Sequence, residues 1–257
     1  MKIYEPAGRA REYSPLALNY YTGCTHNCKY CYVPKMLTRF NSGYDHSDCH
    51  VNMDYSELEK SAQKMRGCGK QILLSFTGDP YCGVQPEVTT RVLEILNKYQ
   101  HKVAILTKGG SRCLQDIELF KQFGQRIKIG ATLTFDNDKD SLEWESGAAL
   151  PQDRIQSLLT LHEQGIKTWV SFEPVIDPRQ SLNLLTQVSG FVDHVKIGKI
   201  NNYLGIDQKI DWGDFIFKSA RICRSQDLSF YIKKDLQIHN KGVYLSGDET
   251  NEDYLNL

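Results

Sequence analysis

Short apolar runs alternate with helix-patterned segments along nearly the whole chain, and this alternation limits the folds open to it. Runs at Leu16–Tyr21, Gln71–Phe76, Val103–Leu106, Ile127–Leu133, Ile166–Phe172, His194–Ile197 and Ser229–Ile232 have the length and bounding residues of buried strands. Between them lie segments with apolar residues at helical spacing, such as Val88, Val92, Leu93, Ile95 and Leu96. Asp54 or Ser56 is placed to cap the first helix, which runs to about Arg66, and Pro86 opens the second. Further helices are expected at 114–123, 152–164, 180–188 and 212–224. Strands that alternate with helices predict a parallel sheet. With 257 residues, the expected architecture is α/β, an incomplete parallel TIM-type (β/α)6 barrel in one domain, 1–257. The stretch 136–145 and the residues up to about Ser47 read as irregular. The tail after Asp235 reads as polar and loosely held, with an acidic solvated end at Asp248–Glu252.

Three cysteines fall within eight residues directly after the first strand: Cys24, Cys28 and Cys31, spaced Cys-x3-Cys-x2-Cys. Thiolates this close can converge on one metal centre. An iron–sulfur cube takes four cysteine ligands, so three leave one iron open to a small molecule. A zinc site is the alternative, with His26, or one of His46, Cys49 and His50, completing a tetrahedron. An electron-transfer protein with a fourth protein ligand is another. Cys49, Cys68, Cys113 and Cys223 are scattered and read as small, mostly buried residues. Eight cysteines in a chain this long point to a reducing compartment and metal chemistry. The start, Met1–Pro6, lacks an apolar signal core and no run of about 18 apolar residues occurs, so the expected location is cytoplasmic, without a membrane span. Formal net charge is zero, which gives no global footprint for nucleic acid.

In parallel barrels the chemistry gathers at the C-terminal ends of the strands. That rule selects the cysteine loop, Thr77–Tyr81, Thr107–Gly110, Thr132 with Thr134, Ser171–Pro174 and Lys196–Lys199.

The cysteine spacing, with the aromatic Tyr30 just before the last cysteine, resembles the signature of the radical S-adenosylmethionine (SAM) superfamily. Gly78-Asp79-Pro80-Tyr81, Gln85-Pro86-Glu87, Thr90–Glu94, Leu106-Thr107-Lys108, Gln115–Leu119, Arg154-Ile155, Gly165-Ile166 and Glu173–Ile176 are similar to its spore photoproduct lyase-like (DNA repair photolyase-like) branch. The resemblance covers roughly residues 14–200 and leaves 201–257 as an extension. It implies a [4Fe–4S] cluster on Cys24, Cys28 and Cys31, with SAM chelated at the open iron. Reductive cleavage of SAM then gives methionine and a 5′-deoxyadenosyl radical, which abstracts hydrogen from a substrate. It implies that Tyr30 packs beside the adenine, that Thr77, Gly78 and Asp79 line the SAM amino group, and that Lys108 faces its carboxylate. Thr132 and Thr134 are candidates for the ribose or methionine; the alternative is a layer of satisfied hydroxyls inside the barrel. Ser171 and Glu173 are candidates for the ribose hydroxyls; the alternative for Glu173 is an ion pair with Lys196 or Arg154. The branch uses a cysteine near the second-strand motif as hydrogen-atom donor. Here that stretch, Leu74–Thr77, has none, and Cys82 is the candidate. An external one-electron donor of flavodoxin or ferredoxin type is implied, and the branch suggests a nucleobase or nucleic acid as substrate. Arg9, Arg11, Lys35, Arg39, Lys233 and Lys234 are candidate phosphate contacts, and Tyr20, Tyr21, Tyr32, Tyr44 and Tyr81 candidate stacking residues. A zinc-stabilised nucleic-acid-binding module without catalysis is the rival function.

Overall fold

The computed structural model describes residues 2–39, 43, 45–201 and 203–257. Seven strands form one sheet: β1 (Leu16–Leu18), β2 (Gln71–Leu74), β3 (Lys102–Thr107), β4 (Ile127–Thr132), β5 (Lys167–Val175), β6 (His194–Lys199) and β7 (Ser229–Ile232). They lie side by side in chain order and every adjacent pair is parallel. Successive crossovers of one hand put the helices on one face, so the sheet curls into a partial barrel with an outer helical layer.

That layer contains α1 (Tyr55–Lys64), α2 (Glu87–Lys98), α3 (Ile117–Phe123), α4 (Pro151–Glu163), α5 (Pro178–Val188) and α6 (Trp212–Ser225). Asp54 caps α1 by accepting the Glu57 N–H at 3.1 Å, as its position before the apolar stripe suggested. The buried apolar residues fall into two outer clusters. One packs Leu18, Ile72 and Ile105 against Leu58, Val92 and Phe120; the other packs Val170, Val195 and Phe230 against Leu158, Leu184 and Ile216. Inside the barrel a small cluster of Leu73, Ala104 and Trp169 meets Tyr13, Phe76 and Leu106. Trp169 donates its indole N–H to the Ile105 carbonyl at 3.0 Å.

Three features differ from the sequence reading. The stretch after the cysteine loop contains a helix, Val33–Arg39, and a short strand, His50–Val51, that pairs antiparallel with Tyr21–Thr22 just before the loop, so the first barrel strand ends at Leu18 and not at Tyr21. The acidic stretch 136–145 contains a helix, Asp138–Trp144, capped by Asn137. Its seven residues have no long apolar stripe, so its stability comes from the cap and from contacts such as Gln180 Nε2 to Asp140 at 2.7 Å.

The third difference is the tail, which is tied to the protein. Arg11 holds Asp253 through two hydrogen bonds of 2.7 and 2.8 Å. Lys102 and Lys128, near the N-terminal ends of β3 and β4, donate to the carbonyls of Leu257 and Leu255. Gln71, at the start of β2, bonds both Asn256 and the Leu257 N–H. The tail therefore crosses the bottom of the barrel, opposite the cysteine loop. The segment before β1 spans the gap between β1 and β7. Its buried Glu12 accepts from Tyr231 at 2.6 Å and from the Lys234 N–H at 2.9 Å, and Lys196 donates to the Glu12 carbonyl at 2.7 Å.

Gly130 on β4 faces Trp169 so closely that a Cβ would lie 2.4 Å from the indole ring. Gly130→Ala is expected to lower the unfolding free energy by about 1–3 kcal/mol through overpacking, measurable by urea denaturation; an unchanged midpoint would contradict the Trp169 packing.

Candidate active site

The cysteine loop leaves β1 at the C-terminal end of the sheet. Cys24, Cys28 and Cys31 are partly buried free thiols. Neighbouring backbone holds the loop from two sides. The Cys24 N–H bonds the His46 carbonyl at 2.9 Å, the Lys29 N–H bonds the Trp144 carbonyl at 2.9 Å, and the Gly147 N–H bonds the His26 carbonyl at 3.1 Å. At Gly147 a Cβ would lie 2.0 Å from the Thr25 carbonyl oxygen, so this approach requires glycine. Burial pushes all three thiols up, Cys28 to about 11. The ammonium of Lys108 opposes that rise at each of them. One cation therefore acts on all three sulfurs, lowering the pKa of each without outweighing burial.

Asp79 is the hub behind this loop. It is buried, and its Oδ1 accepts from the Tyr81 N–H at 2.8 Å and from Thr107 Oγ1 at 2.6 Å. Oδ2 accepts from the Lys108 N–H at 2.8 Å and faces His26 Nε2 at 3.1 Å. Burial alone would raise the carboxyl pKa; His26, Thr107 and the Lys108 N–H outweigh it and hold the group well below the usual carboxylate range. Both oxygens are engaged by protein groups. Asp79 thus brackets the cysteine loop, the loop after β2 and the loop after β3, and a direct contact with a ligand amine would compete with those bonds. His26 lies between the Asp79 carboxylate, 3.1 Å from Nε2, and the Gly147 carbonyl, 3.2 Å from Nδ1, with no hydrogen bond closed at Nε2 among the described residues.

Gly78 sits against the cysteine loop, where a Cβ would lie 2.9 Å from the Gly23 carbonyl oxygen. Asn19, which the sequence reading passed over, orders this loop. Its Oδ1 accepts from Ser75 Oγ, the Phe76 N–H and the Thr77 N–H.

A second buried hub lies on the other side. Glu145 accepts from Arg154 at 2.6 Å, both side chains being 1% exposed, and from the Tyr30 hydroxyl. Arg154 also donates to the carbonyls of Thr132 and Ala149 at 2.9 and 2.7 Å. Thr134 Oγ1 lies 3.3 Å from Glu145 and 3.4 Å from the Tyr30 hydroxyl. Burial works to raise the Glu145 carboxyl; Arg154 and Lys108 more than offset it, so the group lies below its ordinary value. Lys108 Nζ stands 5.5 Å from the Tyr30 ring centroid. Glu145 was invisible in the sequence because its role depends on a short acidic helix.

Ser171 and Glu173 share a third group, inside the barrel. Tyr13 places its hydroxyl on both, at 2.8 Å from Ser171 Oγ. Glu173 also receives the buried Lys233 at 2.6 Å. Gly198 makes room, since a Cβ there would lie 2.9 Å from both side chains. The ion-pair alternative for Glu173 is therefore present, but with Lys233; Arg154 serves Glu145, and Lys196 bonds the carbonyls of Glu12 and Tyr13.

Cys82 lies in the apolar cluster outside the strands, with Tyr20, Tyr21 and Tyr81. These tyrosines are buried, Tyr32 is exposed, and Tyr44 lies outside the described residues. Among the candidate phosphate contacts, Arg9, Arg11, Lys233 and Lys234 pair with Asp235, Asp253, Glu173 and Glu252. Lys35 lies over the Tyr203 ring at 5.2 Å, and Arg39 is exposed. Trp144, Tyr203 and Lys29 add an unanticipated aromatic and cationic rim beside the cysteine loop, with Trp144 and Tyr203 5.8 Å apart and Lys29 5.7 Å above Trp144.

A parallel partial barrel with three free cysteines at the end of its first strand defines the class. The Radical SAM superfamily model matches residues 18–185, and the chain belongs to that superfamily of enzymes. An uncharacterized protein of Methanocaldococcus jannaschii is 32% identical over 163 residues, 62% of this chain and 60% of that one. An uncharacterized protein of Acidianus two-tailed virus is 25% identical over 64% of this chain and 57% of its own. The match thus spans less than two thirds of these relatives. Among solved structures, Streptococcus suis SuiB bound to S-adenosylmethionine superposes with a TM-score of 0.64 at 14% identity, over 90% of this chain and 53% of that one. A spore photoproduct lyase mutant with bound AdoMet and dinucleoside spore photoproduct gives 0.64 at 13%, over 90% and 78%. These two share the fold. Superfamily membership supplants the zinc-module alternative and implies SAM and an iron–sulfur cluster. No helix among the described residues is long and apolar enough to cross a membrane.

The two hubs make testable demands. Arg154→Met leaves the Glu145 charge buried without its partner, and is expected to cost about 3–5 kcal/mol of stability, read by chemical denaturation; a loss under about 1 kcal/mol would show that the pair is not what holds Tyr30. The Asp79 pKa is depressed on folding, so its stabilisation is complete above about pH 4, the unfolded value, and declines as pH falls through the folded one. Asp79→Asn should therefore flatten the acid limb of the stability–pH curve, and an unaltered limb would contradict the bracket.

Proposed function

We propose that this chain is a SAM-cleaving radical enzyme whose [4Fe–4S] cluster is held by Cys24, Cys28 and Cys31. The observation that carries the reading is one loop with three free, partly buried thiols, each within the field of the Lys108 cation, in a member of this superfamily. The donor set fits the group: three thiols suit iron, and the described residues use none of them in a disulfide. When bound and reduced, the cluster supplies the electron that cleaves SAM to methionine and a 5′-deoxyadenosyl radical, which takes hydrogen from the substrate.

The chain's own residues hold and orient the reactants. Lys108 is assigned the SAM carboxylate as a point charge, and the Gly78 backbone, with Thr77, the amino group. Asp79 is assigned to hold those two loops together. Tyr30, fixed by Glu145, is assigned the adenine side, with Thr132 and Thr134 next to it. Ser171 and Glu173 are assigned the ribose hydroxyls, with Tyr13 and Lys233 orienting the carboxylate. Buried Trp169, packed with Leu73 and Ala104, lines the barrel beneath the site, and holding the reactants in place lowers the entropic part of the barrier.

The substrate class proposed is a nucleobase or nucleic acid. Its support is the rim of Tyr32, Trp144, Tyr203, Lys29 and Lys35 beside the loop, together with motifs similar to the spore photoproduct lyase-like branch. A base within a duplex would need to be flipped out to reach the barrel. An external one-electron donor of flavodoxin or ferredoxin type serves the cluster. Cys82 keeps the proposed role of hydrogen donor only if its loop turns inward, since its burial beside Tyr20 and Tyr21 points it away from the barrel. We treat 1–257 as one radical SAM domain, because β7 pairs with β6 and the tail bonds β2–β4.

The test is anaerobic. Protein reconstituted with iron and sulfide, reduced with dithionite and given SAM is expected to form 5′-deoxyadenosine, detected by mass spectrometry. Cys28→Ala should abolish that product and most bound iron; retained cleavage would overturn the assignment. Lys108→Ala should keep the cluster and weaken SAM binding about 10- to 100-fold, the worth of a charged hydrogen bond, and unchanged affinity would remove its carboxylate role.

A further inference from the structure

Of the five cysteines outside the triad, two touch each other. Cys49, at the start of the segment that pairs with Tyr21–Thr22, is partly buried; Cys82, in the loop after β2, is buried. Their sulfurs lie 3.5 Å apart although the residues are 33 positions apart in sequence. The fold fixes both segments independently. The Asn52 N–H bonds the Tyr20 carbonyl at 2.9 Å, and the Cys82 N–H bonds the Asp79 carbonyl at 3.2 Å. Cys82 also meets Thr25, which stands between two of the triad cysteines. Thr25 Oγ1 donates to the Cys82 carbonyl at 2.5 Å.

We infer that Cys49 and Cys82 form a redox-active dithiol whose oxidation to a disulfide clamps the cysteine loop through Thr25. A disulfide needs a sulfur separation of about 2.05 Å, so the two atoms close the remaining gap by side-chain rotation. The oxidant is a low-molecular-weight disulfide such as glutathione disulfide. The Cys49 thiolate, on the accessible side, attacks one sulfur of that disulfide and releases one glutathione thiolate. The Cys82 thiolate then attacks the Cys49 sulfur in the mixed disulfide and releases the second. Two electrons pass from the pair to two glutathione molecules, and the two thiol protons leave with them. Burial raises both thiol pKa values, Cys82 to about 12. The exchange is therefore slow, and it is driven by proximity rather than by acidity.

The dithiol itself does not require the iron–sulfur reading; the clamp on a cluster does. In the test, anaerobically prepared holoenzyme is incubated with glutathione disulfide, alkylated, digested without reductant and analysed by mass spectrometry. Iron and sulfide are assayed on the same sample. The expected result is a Cys49–Cys82 cross-linked peptide, reversed by dithiothreitol, with iron retained and its release to a chelator slowed several-fold. Cys49→Ser, or Cys49→Ala should the first fold poorly, should give neither the cross-link nor the slower release. The proposal is overturned if Cys49 is recovered alkylated, held as a glutathione mixed disulfide, or bridged to a triad cysteine in a sample where exposed Cys68 is glutathionylated. A cross-link without slower iron release overturns the clamp. A cross-link in protein that binds no iron overturns the cluster reading and keeps the dithiol.

Discussion

A buried carboxylate with every oxygen engaged organises the candidate site. Asp79 has lost its water, and a lone charge there would be costly. The Tyr81 and Lys108 backbone N–H groups, the Thr107 hydroxyl and His26 offset that cost. Those partners come from three loops at the ends of three adjacent strands. The electrostatic need of one side chain therefore sets the relative placement of the cysteine loop, the Gly78 turn and Lys108. Glu145 repeats the logic from the far side through Arg154 and Tyr30. Between these two hubs the triad sulfurs make long contacts, Cys28 to the His26 carbonyl at 4.0 Å and Cys31 to His46 Nε2 at 3.7 Å.

The barrel is closed by parts of the chain outside its strands. An open parallel sheet has two edges, and unpaired edges are a liability. Here Tyr4 pairs with Ala17 on the β1 edge, and Glu12 reaches Tyr231 on β7. The tail seals the bottom with backbone carbonyls that receive Lys102 and Lys128. Chemistry at the top and closure at the bottom are thus assigned to different segments, and the mouth is left to the loops after the strands.

The order and location of the strands were legible because Leu16–Leu18, Gln71–Leu74 and Ile127–Thr132 are short apolar runs between clear breaks, and local pattern decides such elements. The cysteine triad stands out in the sequence because its spacing is itself a signal. Glu145, Asn19 and Tyr13 were not, since each acts through partners distant in sequence or through a helix too short to show a stripe. The place of Asp79 beside a glycine turn suggested a ligand contact, and only the fold reveals three donors and the His26 ring converging on it. The tail misled because Asp248–Glu252 looks solvated in isolation. Glu249 and Glu252 are answered by Arg224 and Lys234, which no local pattern connects to them.

The central claim is that Cys24, Cys28 and Cys31 hold a cluster with one iron open to SAM. Electron paramagnetic resonance of the reduced, reconstituted protein with and without SAM tests it most directly. The account predicts a reduced [4Fe–4S] signal that changes when SAM is added, because SAM binds the unique iron. A signal unmoved by saturating SAM, or protein that takes up zinc and no sulfide, would contradict it.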